Sequence, residues 1–235
     1  MAPPRRRTAE LREVTPEELW ELYDLTIKLA RVAGGVPSDP KIVAAWQAAK
    51  WPKGTPPETV HASAEKTVEQ LGETTAKKAE KEAEAPGWNT FLRDKDGHFA
   101  LSGHQVKAML KESAAVLRTF LQATQPDAVS AFPRARLAEK VHVAEDIIPF
   151  LPHKDEPDAS PEKPIHVMTA LGPRDALKKT DILHDVELRC TLKVLADGEF
   201  TEPFLKTLLN FAAENGLGAD RSQGMGKFDY ILKRK

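Results

Sequence analysis

The cleanest alternation of apolar and polar positions is "DVELRCTLKVL" at residues 185–195, where Val186, Leu188, Cys190, Leu192 and Val194 fall on one face. Glu187, Arg189, Thr191 and Lys193 fall on the other, the signature of a half-buried strand. "YDLTIKLARV" repeats the pattern, with Tyr23, Leu25, Ile27 and Leu29 inward and Asp24, Thr26 and Lys28 outward. Helical spacing takes over elsewhere. "GHQVKAMLKESAAVLRTFLQ" places Val106, Met109, Leu110, Leu117, Phe120 and Leu121 on one stripe, with Lys107 and Lys111 one turn apart. "TEPFLKTLLNFAAENG" predicts a helix capped by Thr201, with Phe204, Leu205, Leu208 and Leu209 apolar and Gly216 as its stop. A further helix is predicted from "DPKIVAAWQAAKW", with Asp39 as N-cap, Pro40 in the first turn, and Ile42, Val43 and Trp46 on one side.

Short strands are expected at residues 141–143 and in "KFDYILK" near the end of the chain. The core order is then strand, helix, strand, strand, helix, strand. That order predicts an α+β, ferredoxin-like (RRM-like) fold: an antiparallel sheet covered on one face by two helices, with large insertions. Residues 1–18 read as an N-terminal arm and 19–235 as one domain. Between Gly54 and Pro86 "TAKKAEKEAEA" is charged and almost free of large apolar residues, so residues 52–98 are expected to form a solvated helical insertion or a mobile segment. "FLPHKDEPDASPEKP" is Pro-rich and polar, too irregular for core, and 144–185 reads as a second insertion.

Composition narrows the function classes. Net charge is −1 across 235 residues, so polyanion binding needs a local patch and not bulk attraction. The single cysteine, Cys190, excludes an internal disulfide and a Cys-based zinc site, and suits a reducing, cytoplasmic setting. No apolar run approaches a membrane span, and the basic start with Arg5, Arg6 and Arg7 lacks the apolar stretch of a secretory signal. His98, His142, His153, His166 and His184 show no spacing such as H-x-x-x-H, so spacing supports no metal site, and no cofactor motif is present.

"GLGADRSQGMGKF" carries the most specific chemistry. A mononucleotide P-loop needs strand, loop, helix, but here the order is helix, loop, strand. Phe228 follows Lys227 where a magnesium-binding Ser or Thr belongs, and Arg221 stands where a dinucleotide fingerprint needs its third glycine. Glycines let the backbone take positive φ and approach another surface, and successive amides can then form an anion nest. Gly216, Gly218, Gly224 and Gly226 supply that freedom, Arg221 and Lys227 add charge, and Ser222 adds a hydroxyl. An ordinary helix-to-strand connection is the alternative.

This stretch resembles the C-terminal glycine-rich motif of the RAMP superfamily, the RNA-binding proteins of CRISPR effector complexes, which act in antiviral defence. "FALSGHQVKAMLKESA" is similar to the family's "yiPGSSlKGalR" segment, with Gly103 and Lys107 at the matching Gly and Lys. "ARVAGGVPSDPKIV" is similar to the loop after the first strand of type III backbone subunits, and "GPRDALKKTDILHDVEL" to the run into the third core strand. Ser102 replaces the usual Pro, Ala108 replaces a second Gly, Lys111 only stands near the family's Arg, and overall basicity is missing.

The resemblance implies a subunit that contacts the sugar-phosphate backbone of guide-like single-stranded RNA through Gly103, Lys107, Lys111 and the glycine loop. It also implies head-to-tail assembly with its own copies and with other effector subunits. Residues 144–185 occupy the place of a thumb, either a projecting hairpin or a surface loop. Two other readings stay open. An endoribonuclease of the same fold would use Asp39, by analogy with target-cleaving subunits, or His104 as general acid or base. N-capping alone accounts equally for Asp39, and His104 reads equally as an exposed polar residue. A structural protein of a phage or mobile element would keep the fold without RNA, which suits the balanced charge.

Overall fold

The computed structural model describes residues 15–37, 88–124, 133–169 and 172–235. A four-residue turn of helix, α1 (Pro16–Leu19), leads into β1 (Trp20–Ala33). After β1 come β2 (Val36–Pro37), β3 (Trp88–Thr90), β4 (Leu92–Arg93) and β5 (Phe99–Ser102). Three helices follow: α2 (Gly103–Val116), α3 (Arg118–Thr124) and α4 (Pro133–Lys140). Then come β6 (Val141–Val143), β7 (Ile147–Pro149), β8 (Glu162–Thr169), β9 (Gly172–Thr180) and β10 (Ile182–Leu195). Helix α5 (Glu202–Asn215), a short 3-10 turn (Arg221–Gln223) and β11 (Phe228–Arg234) complete the chain.

The central sheet has the order β11-β1-β10-β6, antiparallel throughout. Numbered by their place in the core, these strands are the fourth, first, third and second. That is the split βαβ arrangement the element order predicts. Alternation sets the register. Leu25 pairs with Cys190 and Leu232, and Ile27 with Leu188 and Tyr230, so inward side chains stack across three strands. Val106, Met109, Leu110 and Ala114 of α2 cover that face beside Phe204, Leu205, Leu208, Leu209 and Ala212 of α5, all in one core. Burial of this apolar area is the main force holding the layers together.

Local chemistry explains the helix ends. Ser102 caps α2 and Gln105 reaches back to its amide, a reciprocal capping box. Thr201 does sit at the N-cap of α5, but its side chain makes no capping hydrogen bond. The single helix expected from 103 to 122 breaks at Leu117. Its hydrogen bonds run on, from Leu117 N–H to Ser113 O and from Leu121 N–H to Leu117 O, but the apolar face turns. Leu121 stays buried and Phe120 points to solvent.

The insertions differ from their compositional reading. Residues 52–87 and the helix expected after Asp39 lie outside the described residues, and the tail of the 52–98 segment is strand, not helix. In 144–185, Ile148 and Phe150 belong to the core, because β7 pairs with β5 and draws them inward. Strands β8 and β9 pair as an antiparallel hairpin, from Glu162↔Lys179 to Thr169↔Gly172. Trp88 Nε1 and the Ser160 hydroxyl both donate to Asp181 Oδ1, at 3.0 and 2.5 Å, tying the hairpin base to β3. Asp181 is almost fully buried, so these donors replace the water it gives up. Among the described residues, no helix is long and apolar enough to cross a membrane.

Candidate functional site

The glycine loop starts where α5 stops, at Gly216 with φ +86°. It folds back on itself and docks on the end of β1. Leu217 N–H donates to Gly226 O at 2.8 Å, Gly226 N–H to Arg31 O at 2.9 Å, and Ala219 N–H to Ala33 O at 3.0 Å. The fit admits no side chain at Gly226, where a Cβ would lie 1.9 Å from Leu217 O. Amides of Gln223, Gly224 and Met225 also donate within the loop. These amides close the loop and are not free to form an anion nest. The loop's positive charge comes from the side chains of Arg221 and Lys227.

Side chains of the loop reach three neighbours, α2, the β8–β9 hairpin and α5. Arg221 donates from Nη1 and Nη2 to the two carboxylate oxygens of Glu112 on α2, at 2.7 and 3.4 Å. Arg221 hydrogen bonding, offset in part by burial, holds the Glu112 carboxyl below its ordinary range. On the other side Asp220 accepts from Lys178 at 2.7 Å and Gln223 from Lys163 at 3.0 Å, both on the hairpin. Lys227 pairs with Glu214 at 2.7 Å on the exposed end of α5. Ser222 and Gly224 are exposed on the 3-10 turn and its cap.

Helix α2 presents the second group. Gly103 is buried because the backbone of the β6–β7 connection passes over it; a Cβ would lie 2.0 Å from Glu145 O. Its role is close approach, and its amide donates to Asp146 O at 2.8 Å. Lys107 is half-buried, with Nζ 3.2 Å from His142 Nδ1. Burial, and then the like charge of Lys111, push the Lys107 amine below its ordinary range. Among the described residues neither lysine has a carboxylate partner within ion-pair distance. His104 is exposed in the first turn of α2. Asp39 lies outside the described residues.

The opposite face of the central sheet is a shallow polar groove lined by Asp24, Thr26, Lys28, Glu187, Arg189 and Lys233, among others. Among the described residues no aromatic ring lines the groove itself; Trp20 stands at the end of the same sheet face, with Lys193 Nζ 5.6 Å from its ring centroid. The partners of the loop, Glu112, Lys163 and Lys178, were not legible as site residues. For Lys163 and Lys178 the only signal is a polar run, which also fits a plain surface; Glu112 carries none. The histidines without ligand spacing are not all apart in space either: His98 and His153 stack beside Asp94. Spacing misses this because the contact joins two insertions.

No family model and no curated protein matches the chain. Solved structures to which it is similar include a chain of the type III-B Cmr-beta complex bound to cognate target RNA. There the identity is 10%, the TM-score 0.42, and the match covers 93% of this chain and 61% of the other. A chain of a type IV-B CRISPR complex is similar at 11% identity and a TM-score of 0.44, covering 90% of each. The chain thus spans less than two thirds of the length of the Cmr-beta chain.

Proposed function

We propose that this protein is an RNA-binding, backbone-type subunit of a CRISPR-like ribonucleoprotein. In this reading it grips the sugar-phosphate backbone with the glycine loop and α2 and assembles head-to-tail with its own copies. The observation that carries the proposal is the convergence on the loop: Arg221 locked to α2 through Glu112, and Asp220 and Gln223 held by Lys178 and Lys163 of the hairpin. A guanidinium has five N–H donors, and the two spent on Glu112 orient the plane while others remain for a phosphate oxygen. Lys107 and Lys111 repel one another one turn apart, and a phosphate between them would relieve that repulsion. The lining of the sheet groove argues for phosphate contacts over base stacking there, so little sequence preference follows.

The test is RNA binding against salt for wild type and Lys107→Ala/Lys111→Ala. The double variant should lose affinity for unrelated sequences alike, and its salt slope should fall by about two charges. An unchanged slope would refute the assignment.

One observation favours a second reading, a structural protein that retains the fold without RNA. Arg221 and Lys227 are already neutralised by Glu112 and Glu214, and the whole chain has a net charge of −1. Nucleic acid co-purifying with the recombinant protein, seen as a raised 260/280 absorbance ratio, supports the first reading; its absence together with no RNA binding at low salt supports the second. Cleavage by Asp39 or His104 remains the alternative enzyme reading, tested by whether bound RNA is cut.

A further inference from the structure

We propose that Asp94, His98 and His153 form a binding site for one divalent transition-metal ion of the zinc type. One ligand atom from each residue lies within 4.8 Å of the others. The His98 Nδ1 to Asp94 Oδ2 distance is 3.3 Å. Two ligands on a tetrahedral zinc, each bound at ~2.0–2.1 Å, stand about 3.3 Å apart, so this pair already has the required bite. The His98 and His153 rings stack with centroids 4.6 Å apart and planes at 27°, which brings the third donor alongside. A modest rotation of His153, the exposed member, completes a two-imidazole, one-carboxylate set with an open position toward solvent.

The scaffold holds these ligands in place. Asp94 Oδ1 accepts the amides of Asp96 at 2.9 Å and His98 at 2.8 Å, which fixes the carboxylate and leaves Oδ2 for the metal. The turn itself is closed by Asp94 N–H on His98 O and Gly97 N–H on Asp94 O. Arg93 clamps it to the segment carrying His153, donating to Gly97 O at 2.5 Å and to Asp155 O at 2.9 Å. Phe99 N–H adds a bond to Lys154 O at 2.7 Å. Backbone bonds thus pin both ligand-bearing segments, the preorganisation a metal site requires. A bound ion would staple the turn before β5 to the stretch that leads into the β8–β9 hairpin.

The plain alternative is a His–Asp hydrogen bond with stacked imidazoles and no metal. Full-length protein, stripped with EDTA and titrated with Zn²⁺ by calorimetry, separates the two, with Co²⁺ absorption as a second readout. The expected result is one ion per chain. At a hundred times Kd, binding to the folded state alone should raise Tm by about 5 °C or more. Loss of an outer-shell partner alone costs metal affinity about 10–100-fold, so His153→Ala and Asp94→Asn should each weaken binding at least about tenfold. His153 is exposed, so His153→Ala keeps the fold and isolates the ligand effect. Binding in His104→Ala and His142→Ala should match wild type. Failure of the wild type to bind either ion would overturn the site, as would equal binding by His153→Ala or binding lost with His104 or His142.

Discussion

Arg221 and Glu112 lie 109 positions apart in the sequence, yet their side chains meet in a two-pronged pair at 2.7 and 3.4 Å. The pair joins the glycine loop to the first core helix. On the RNA-binding reading it also sets a competition for charge: donors remain for a phosphate, but the Glu112 carboxylate neutralises the guanidinium and repels the phosphate beside it. Glu112→Gln keeps the shape, removes the charge and leaves Arg221 to the phosphate, so RNA affinity at low salt should rise. Arg221→Ala should lower affinity and flatten the salt dependence by about one charge. Because the pair is partly exposed, each variant should cost ~1 kcal/mol of stability or less. Filter binding across a salt series and thermal melting check both, and an affinity indifferent to either substitution would refute the competition.

The loop backbone makes a separate prediction about rigidity. Gly226 and Gly224 both have positive φ, at +78° and +81°, but only Gly226 is packed against the chain. Gly224→Ala should therefore cost only the left-handed strain of one residue, ~1–2 kcal/mol. Gly226→Ala adds a collision with Leu217 O and should cost roughly 3 kcal/mol or more. Denaturant melts of the two variants should separate clearly, with Gly226→Ala the less stable.

Cys190 supplies a pH prediction. Burial, with smaller contributions from Glu145 and Asp24, pushes its thiol up to about 12 from an ordinary value of 9.0. The unfolded chain therefore releases this proton first as pH rises. Above pH 9 the unfolded state binds fewer protons than the folded one, so stability falls with pH until about pH 12. The slope from this group is ~1.4 kcal/mol per pH unit at most. In the folded protein the thiol should resist alkylation at pH 8 and react promptly once denaturant is added. Rapid labelling of the native protein would contradict the assignment.

Assembly gives the last prediction. On the RNA-binding reading, a chain of balanced charge would hold RNA through a few phosphate contacts, so one copy should bind weakly and lose its grip as salt rises. Neighbouring copies on one strand add protein contacts and raise the effective concentration of the next subunit. Mass photometry with oligonucleotides of increasing length should show stepwise added mass and cooperative binding. A closed oligomer of fixed size, indifferent to RNA length, would favour the structural reading.

Elements whose signal is local are legible in the amino-acid pattern. Alternation in "YDLTIKLARV" and "DVELRCTLKVL" marked β1 and β10, because a strand with one wet face must alternate to bury the other. The stripe in α5, its stop at Gly216 and the core order of six elements were legible for the same reason. What each side chain meets follows from packing between distant elements. No local pattern pairs Arg221 with Glu112, sets Lys178 on Asp220, buries Phe150 inside a Pro-rich run, or stacks His98 on His153. Those partners come from elements far apart in the chain, and only their packing around one sheet brings them within reach. Periodicity reports the face a residue presents to its own element, whereas chemistry at the site depends on the element that arrives opposite it.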